Sequence, residues 1–292
     1  MKIKVKEEGL LSMLLEKEFH TASRTSIRKM LKHGQITVNG KVAVRADTPV
    51  MPGDEIEYLR TMRPPKTDNA PYRTVFEDEH ILVSDKPAGV LTIGYTKDQG
   101  ESSFYREWLQ YVRERSKGKE RLYIVHRLDR EVSGLIVFAK TEEVQKSLKD
   151  NWHMNTKLYY AYVEGIPPKS IGKISGYLAE GPKEKMFSYQ DPERGKLAVT
   201  NYRIMKEFPG HALLEVNLET GRKNQVRVQL AEIGCPIVGD RRYGAKDKFL
   251  RRIRLHAFHL GFVHPVSGQK VEFHSPMPKG FTILKEADEK YK

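Results

Sequence analysis

The chain has 292 residues, more than one domain usually contains, and this length predicts a large domain with a smaller accessory domain. Hydrophobic residues make up 39% of the chain and charged residues 30%, which excludes an intrinsically disordered protein. The formal net charge of +13 favours a polyanionic partner, most commonly nucleic acid, although a merely soluble basic protein has the same composition.

A lone cysteine, Cys235, excludes an internal disulfide framework and a multi-thiolate metal site. This cysteine usage fits a reducing compartment, so we expect the protein in the cytoplasm. The N-terminal residues carry four glutamates around a short apolar run, unlike the uninterrupted core of a signal peptide, and no apolar run reaches membrane-spanning length. We therefore expect no membrane partner.

The N-terminal segment predicts two short helices followed by a small hairpin sheet. The helices span residues 10–19 and 25–33, and Gly34 ends the second. The dipeptide Asn39-Gly40 between alternating apolar residues predicts a tight hairpin, and a further turn leads to the strand EIEYL. These elements predict a small α+β domain over residues 1–60.

The second predicted helix is basic. Its solvent side carries Arg28, Lys29 and Lys32, and Arg24 comes just before it. A basic helix pair followed by a small hairpin sheet resembles the αL RNA-binding domain first seen in a small-subunit ribosomal protein. The resemblance implies that these four cations bind RNA; an ordinary small α+β cap is the alternative.

Residues 61–71 contain three prolines and almost no apolar periodicity, which predicts a semi-extended linker. After it, short β-rich runs recur between turn signals, with helical stretches at 142–151 and 224–233. We predict a mixed α+β domain over residues 72–285 and a charged tail over 286–292. The predicted strands are TVFE, HILVSDK, RLYIV, GLIVFAK, YYAYVEG, ALLEVNL and KVEFHS.

Two of these runs, LYIV and GLIVFAK, bracket the polar segment HRLDREVSG. Scaffolds commonly present reactive groups on such a loop at the end of a sheet, so Asp129 and Arg127 are candidate site residues. The spacing alone leaves the question open, because a charged hairpin loop with an internal Arg–Asp pair is common without any function.

A second concentration of polar groups lies in the segment LETGRKNQVRVQLAEIGCPIVGDRRYG. Gly221 can turn the chain into a helix that carries Asn224, Arg227 and Gln229. Arg222 comes just before this helix. Arg227 could meet a carboxylate from another segment.

The stretch from Asp240 to Arg254 is strongly basic, with seven cations against two aspartates and a net charge of +5. Tyr243 and Phe249 are interleaved, so the stretch could neutralise phosphates while its aromatic rings stack on unpaired bases. A solvated basic face explains the pattern almost equally well. The cations are Arg241, Arg242, Lys246, Lys248, Arg251, Arg252 and Arg254.

Other chemistries find less support. The closest histidine pair, His256 and His259, lacks the Glu-centred spacing of a zinc protease helix, so we expect structural roles and no metal. Neither G-x-G-x-x-G nor G-x-x-x-x-G-K-[ST] follows a strand, and no G-x-S-x-G elbow occurs. Nucleotide cofactors and acyl transfer therefore lose support.

Five motifs in order resemble the RluA family of pseudouridine synthases over residues 75–280. The family's opening Lys-Pro-Gly motif is similar to ILVSDKPAGVLT, its catalytic motif to VHRLDREVSGLIVFAKT and its tyrosine motif to KLYYAYVEG. The segment LETGRKNQVRVQLAEIGCPIVGDRRYG is similar to the family motif that supplies a basic residue. The segment RLHAFHLGFVHP, with the later SPMP, is similar to the family's closing segment. The resemblance implies an α+β fold with a mixed, largely antiparallel sheet of pseudouridine synthase type and isomerisation of RNA uridine to pseudouridine.

The resemblance also implies roles for individual residues. Asp129 would be the essential carboxylate, Arg127 would fill the space left by an extruded base, and Tyr159 would lie against the target uracil. Arg227 would form an ion pair with Asp129. This chain departs from the family at Val132, where Thr is usual, and at Asn224, where His is usual. The hydroxyl lost at 132 would support the loop, and Asn224 cannot become charged.

These residue types suit the reaction that the resemblance implies. Isomerisation breaks the bond between uracil and ribose, turns the base and rejoins it through carbon, so no cofactor is required. One ionised carboxylate can act as nucleophile at the sugar carbon or as base at its neighbour. Arg227 would keep Asp129 ionised in a dry pocket. Extruding a stacked uracil costs roughly a few kcal/mol, and Arg127 is placed to fill the gap.

We expect a monomer acting on structured RNA. Large-subunit ribosomal RNA is favoured, because the αL-like domain and the basic stretch offer a broad footprint. Transfer RNA is the alternative substrate. A non-catalytic RNA-binding or ribosome-assembly protein is the alternative from another class, motivated by the departures at Val132 and Asn224, and retention of Asp129 argues against it.

Overall fold

Within its described residues, the N-terminal part of the chain forms a small antiparallel sheet in the order β1, β6, β3, β4. The hairpin between β3 and β4 turns at Asn39, whose φ of 51° lies in the left-handed region that Asn tolerates. The hairpin predicted from Asn39-Gly40 is therefore confirmed. The strands are β1 (Lys2–Lys4), β2 (Gly9–Leu10), β3 (Ile36–Val38), β4 (Lys41–Val42), β5 (Pro49–Val50), which pairs with β2, and β6 (Glu55–Tyr58).

Helix α1 (Leu11–Glu18) covers this sheet and confirms the first predicted helix. Its Leu11 and Leu15 are fully buried, and they share one apolar cluster with Ile27 and Leu31 from the second predicted helix. Most of that second helix lies outside the described residues. The computed structural model describes residues 2–19, 23, 26–27, 30–31, 36–39, 41–43, 46–58, 70–94, 102–246 and 252–282.

In the described residues, the larger part is built on an eleven-stranded sheet. Nine of its strands follow the order β13-β12-β14-β15-β11-β16-β10-β8-β7, while β17 pairs with β16 and β9 with β10. Neighbouring strands are antiparallel except β10 and β16. The expected mixed, largely antiparallel α+β fold is confirmed. The strands are β7 (Thr74–Glu77), β8 (Ile81–Lys86), β9 (Tyr123–Ile124), β10 (Ser133–Ala139), β11 (Thr156–Glu164), β12 (Ile171–Glu180), β13 (Met186–Tyr189), β14 (Lys196–Phe208), β15 (His211–Leu218), β16 (Leu255–Val263) and β17 (Lys270–His274).

Among the described residues, three helices accompany the large sheet: α2 (Phe104–Arg115), α3 (Glu142–Asp150) and α4 (Gln225–Glu232). The second and third of these confirm the predictions at 142–151 and 224–233. Side chains of Ser103 and Thr141 accept N–H groups at the starts of α2 and α3. Short 3₁₀ turns are Trp152–Met154, Pro182–Glu184, Pro192–Arg194 and Arg241–Tyr243. No helix in the described residues is both long and apolar enough to cross a membrane.

Gly134 permits the parallel contact between β10 and β16 at the point where the polar loop enters β10. A Cβ atom at this position would lie 2.2 Å from the carbonyl oxygen of Ala257, and the φ of +124° also disfavours other residues. The close approach brings β16 and β11 alongside the loop. Residues of the loop and of β11 thereby come to share one cleft.

Candidate active site

The loop between β9 and β10 presents Asp129 to an open cleft. Leu128 and Val132 are buried in the main apolar core, whereas Arg127 is exposed and the Asp129 side chain is 28% exposed. The backbone N–H of Val132 donates to the carbonyl of Asp129 at 3.2 Å and closes a turn. Buried apolar residues that alternate with polar ones thus hold the loop between β9 and β10, where the sequence predicted it.

Two side chains of the segment KPAGVLT hold this loop from inside the protein. The hydroxyl of Thr92 donates to the carbonyl of Leu128 at 2.6 Å and accepts from the Leu128 N–H at 3.2 Å. The fully buried Lys86 donates to the carbonyl of Arg130 at 3.2 Å. Its other acceptors are the carbonyls of Pro87 and Val90. Neither side chain has a role that was predicted from the sequence.

Burial lowers the pKa of Lys86 to about 8, while the charges of Asp129 and Glu131 act in the opposite direction. The ammonium is therefore mostly protonated at neutral pH. Its charge lies behind the loop and its hydrogens are occupied by carbonyls. Lys86 consequently adds a fixed positive charge near Asp129 without competing for the cleft.

Arg227 lies on the buried face of α4 and joins two carboxylates. Its Nη1 is 3.1 Å from Oδ2 of Asp129, the contact that the resemblance implied. Its Nε and Nη2 donate to Oδ2 and Oδ1 of Asp240 at 2.6 and 2.9 Å. Glu131 is a more distant neighbour, 3.5 Å from Nη1. In the sequence, Asp240 stands out only as an acid within a basic stretch. In the structure, Asp240 is 1% exposed and fixes the guanidinium of Arg227.

Burial opposes the charge of Arg227, but the hydrogen bonds and charges of Asp240 and Asp129 outweigh it, so the pKa of the guanidinium is raised. A permanently charged group therefore faces Asp129 in a half-buried site.

Asn224 also touches Asp129. Its Nδ2 donates to Oδ2 of Asp129, and its Oδ1 accepts from the hydroxyl of Tyr243 at 3.0 Å. The structure places the amide of Asn224 on the carboxylate, and the predicted RNA contact of this residue stays a prediction. Tyr243 corrects a further prediction: it is 7% exposed and hydrogen-bonded inside the protein, so its ring is not available to stack on an unpaired base.

Tyr159, on β11, borders the same cleft as Asp129. Its cross-strand partner on β16 is Ala257, and a bulge between Leu158 and Tyr159 shifts the register here. Burial and then the charge of Asp129 raise the pKa of Tyr159, so the phenol is neutral at physiological pH. A neutral aromatic ring therefore lies beside the carboxylate.

Four of the predicted cations in the described residues lie along the rim of the cleft. Arg127 and Arg222 are exposed, and Arg222 donates through Nε to the carbonyl of Leu197 at 3.0 Å. Arg241 and Arg242 begin a 3₁₀ turn on the opposite side, where Arg242 donates to the carbonyl of Lys183. The structure thus gathers these four cations around Asp129.

Not every residue of the predicted basic surfaces belongs to the rim. Arg252 is half-buried and donates to the hydroxyl of Ser133 at 3.0 Å, so it packs inside the domain. The predicted RNA contacts at Arg24, Arg28, Lys29 and Lys32 lie outside the described residues, as do Lys248, Phe249 and Arg251.

The histidines of β16 take different positions. His256 is buried and its Nδ1 is 2.9 Å from the hydroxyl of Ser133, which agrees with a structural role. His259 forms a group with Glu272 and His274 whose ligand atoms lie within 4.8 Å of one another, so these three could hold a metal ion. The Nδ1 atoms of His259 and His274 are 3.3 Å apart, so a hydrogen bond in which one ring donates its proton to the other also explains this contact.

Comparison with known proteins gives a separate match for each of the two parts of the chain. Residues 80–232 match the family model described as RNA pseudouridylate synthase, and residues 15–56 match the S4 domain. The chain is 32% identical over 297 residues to an RNA pseudouridine synthase of Aquifex aeolicus, covering 94% of this chain and 92% of that protein.

The chain is also 32% identical over 296 residues to ribosomal large subunit pseudouridine synthase D of Pasteurella multocida, covering 95% of this chain and 90% of the relative. Among solved structures, the human RNA pseudouridylate synthase domain containing 4 superposes with a TM-score of 0.59 at 23% identity. That match covers 71% of this chain and 89% of the human chain and supports the fold.

Proposed function

The chain belongs to the RNA pseudouridylate synthase family, and we propose that it isomerises a uridine of large-subunit ribosomal RNA with Asp129 as its essential carboxylate. The RluA-type resemblance and the S4 resemblance of the N-terminal segment are confirmed by the matches. The observation that carries the role of Asp129 is its position at an open cleft, 3.1 Å from a buried arginine and beside Tyr159.

The reaction keeps every heavy atom of the substrate. The bond between N1 of uracil and C1′ of ribose breaks, the base turns, and C5 bonds to C1′. The hydrogen of C5 is released to water, and N1 takes up a proton from water. Asp129 serves either as nucleophile at C1′ or as base at the neighbouring carbon. The neutral ring of Tyr159 offers a face against which the base can turn.

The target uracil has to leave its stack before it reaches Asp129. Arg127 is exposed on the same loop, and it makes no hydrogen bond or ion pair with any residue that the structure describes. Its guanidinium is therefore free to occupy the space that the base vacates. Arg222, Arg241 and Arg242 on the rim can neutralise phosphates of the flanking backbone.

Release of tritium from RNA labelled at C5 of uridine tests the catalytic role. We expect wild type and Asp150→Asn, an exposed aspartate on α3, to release tritium at equal rates, and Asp129→Asn to release none. The amide replacement keeps the size of the side chain and removes its charge. Normal turnover by Asp129→Asn would exclude this carboxylate as the essential group.

The same assay separates the two RNA substrates. The names of the relatives favour ribosomal RNA. We expect tritium release from large-subunit ribosomal RNA and not from bulk transfer RNA. Release from transfer RNA alone would overturn the assignment of the target, and mapping pseudouridines in cells with and without the gene would identify the nucleotide.

We also propose the division of the chain into an RNA-binding domain at 1–60, a linker at 61–71, a catalytic domain at 72–285 and a tail at 286–292. Removing residues 1–60 should weaken RNA binding and reduce its dependence on salt, because fewer phosphates are neutralised. Unchanged affinity and salt slope would contradict the RNA-binding role. A cytoplasmic monomer completes the proposal, and sedimentation of the purified protein tests its oligomeric state.

A further inference from the structure

Both hydrogen bonds that Asp129 accepts through its side chain fall on one oxygen. Arg227 Nη1 and Asn224 Nδ2 both donate to Oδ2. Within the part of the chain that the structure describes, Oδ1 accepts none. A carboxylate oxygen that holds a charge-assisted bond and an amide bond is less available for reaction than one that holds neither. The two oxygens of Asp129 are therefore not equivalent.

The orientation of the Asn224 amide is fixed by its second partner. The backbone N–H of Met186 donates to the hydroxyl oxygen of Tyr243 at 3.1 Å, which leaves the hydroxyl hydrogen for Oδ1 of Asn224 at 3.0 Å. The amide nitrogen consequently faces Asp129. A flipped amide would place its oxygen against the carboxylate, lose the hydrogen bond to Asp129 and leave the hydroxyl hydrogen of Tyr243 without this acceptor.

The backbone adds a requirement at this position. Asn224 precedes α4 with φ 53° and ψ 20°, in the left-handed region that Asn and Asp adopt more readily than most residues. It lies three residues before Arg227, so both donors to Asp129 come from the start of one helix. An aspartate can replace Asn224 there without forcing the backbone to change.

We infer that Asn224 is a positioning residue, which together with Arg227 holds Oδ2 of Asp129 and leaves Oδ1 as the oxygen that reacts with the ribose. Tyr243 supports it by keeping the amide in the donating orientation. Asn224 acts through Asp129 and does not contact the base. This inference rests on the proposed function of Asp129 and adds which atom reacts and what selects it.

Asn224→Asp gives the sharpest test. The variant replaces the donor with a second carboxylate facing Oδ2, and two adjacent carboxylates share a proton over a wide pH range. We expect kcat to fall about a hundredfold at neutral pH and not to return to the wild-type value at higher pH, because the fully ionised pair has no donor for Oδ2, while KM for RNA stays unchanged. Asn217→Asp, an exposed change on β15, is the matched control and should keep the pH profile of wild type.

Tyr243→Phe removes only the hydroxyl that orients the amide. We expect kcat to fall about tenfold with KM unchanged, since an amide that is free to flip donates to Asp129 for only part of the time. A lower melting temperature with unchanged kcat and pH profile in both variants would indicate a merely structural role and overturn the inference.

The free protein provides a measurement that needs no RNA. With ¹³C-labelled aspartate carboxyl groups, Asn224→Asp should show two carboxylates that titrate together, and Asn217→Asp should show an added carboxylate that titrates alone. Independent titration at 129 and 224 would overturn the inference. If Asp129→Asn turns over RNA normally, the proposed function fails; if Asp129→Asn is inactive but Asn224→Asp behaves as wild type, only the role of Asn224 fails.

Discussion

Two of the three guanidinium nitrogens of Arg227, Nε and Nη2, donate to Asp240, and the third, Nη1, donates to Asp129. Asp240 is 1% exposed, whereas the Asp129 side chain is 28% exposed. The buried partner therefore fixes the arginine, and the exposed partner is the one that can meet a substrate. Two carboxylates around one arginine thus have separate roles.

Replacing Arg227 should cost more stability than its contact with Asp129 explains. In Arg227→Met the buried Asp240 loses the donor to both of its carboxylate oxygens, and we expect the free energy of unfolding in urea to fall by about 3–5 kcal/mol. Adding Asp240→Asn should recover part of that stability but none of the tritium release. Arg222→Met, at an exposed position in the segment before α4, should change stability by less than about 0.5 kcal/mol. Equal losses in the single and double variants would contradict this account.

Thr92 is predicted to control the geometry of the loop that carries Asp129. Thr92→Val keeps the shape of the side chain but removes the hydroxyl that both donates to and accepts from Leu128. Two backbone groups are then left without their partner, and we expect a loss of about 1–3 kcal/mol together with a lower kcat. The exposed Thr156→Val is the control for the assay. Wild-type kcat in Thr92→Val would show that the loop holds its shape without this clamp.

The sequence predicted local elements better than it predicted contacts between distant segments. Apolar runs bounded by turns identified seven strands, and local periodicity identified α3 and α4, because these signals lie within a few residues. Helix α2 was missed although Phe104, Trp108 and Val112 bury one face at helical spacing. Strand β12 was missed because glycine is rare inside strands, and its Gly172 leaves room for the ring of Tyr202.

The candidate site was predictable only in part for the same reason. The resemblance supplied Asp129, Tyr159 and Arg227, and the structure brings them to one cleft. The roles of Asp240 and Tyr243 depend on contacts between segments, and the sequence showed only a basic stretch around them. The burial of Arg227 on α4, which requires a buried carboxylate as partner, becomes visible only in the structure.

His126 is predicted to make the fold sensitive to acid. Its ring accepts the N–H of Val137 through Nε2 at 3.0 Å, and burial lowers its pKa to about 3. Because an unfolded histidine binds its proton near pH 6.5, the unfolded state takes up more protons below that pH, and stability falls as the pH drops from about 6.5 towards 3. The contribution is complete above pH 6.5.

His126→Gln keeps an acceptor for Val137 but does not titrate. We expect the loss of stability between pH 6.5 and 4.5 to shrink by about 2–3 kcal/mol relative to wild type, whatever the level at neutral pH. His153→Gln, at an exposed position in the 3₁₀ turn Trp152–Met154, should leave the slope unchanged. Chemical unfolding at several pH values measures both, and an identical slope in His126→Gln would exclude His126 as the source.

The effect of replacing Arg127 on turnover should depend on how strongly the target uridine is stacked in the substrate. Arg127→Ala removes the exposed guanidinium that we propose to fill the vacated space, and extrusion from a helix costs roughly a few kcal/mol. We expect turnover of a uridine within a stem to fall about tenfold to a hundredfold, and turnover of the same sequence as an unstructured oligonucleotide to fall less than about threefold. Arg121→Ala, an exposed cation just before β9, removes the same charge and should affect both substrates equally. An equal loss on both substrates in Arg127→Ala would mean that the side chain binds phosphate and does not replace the base.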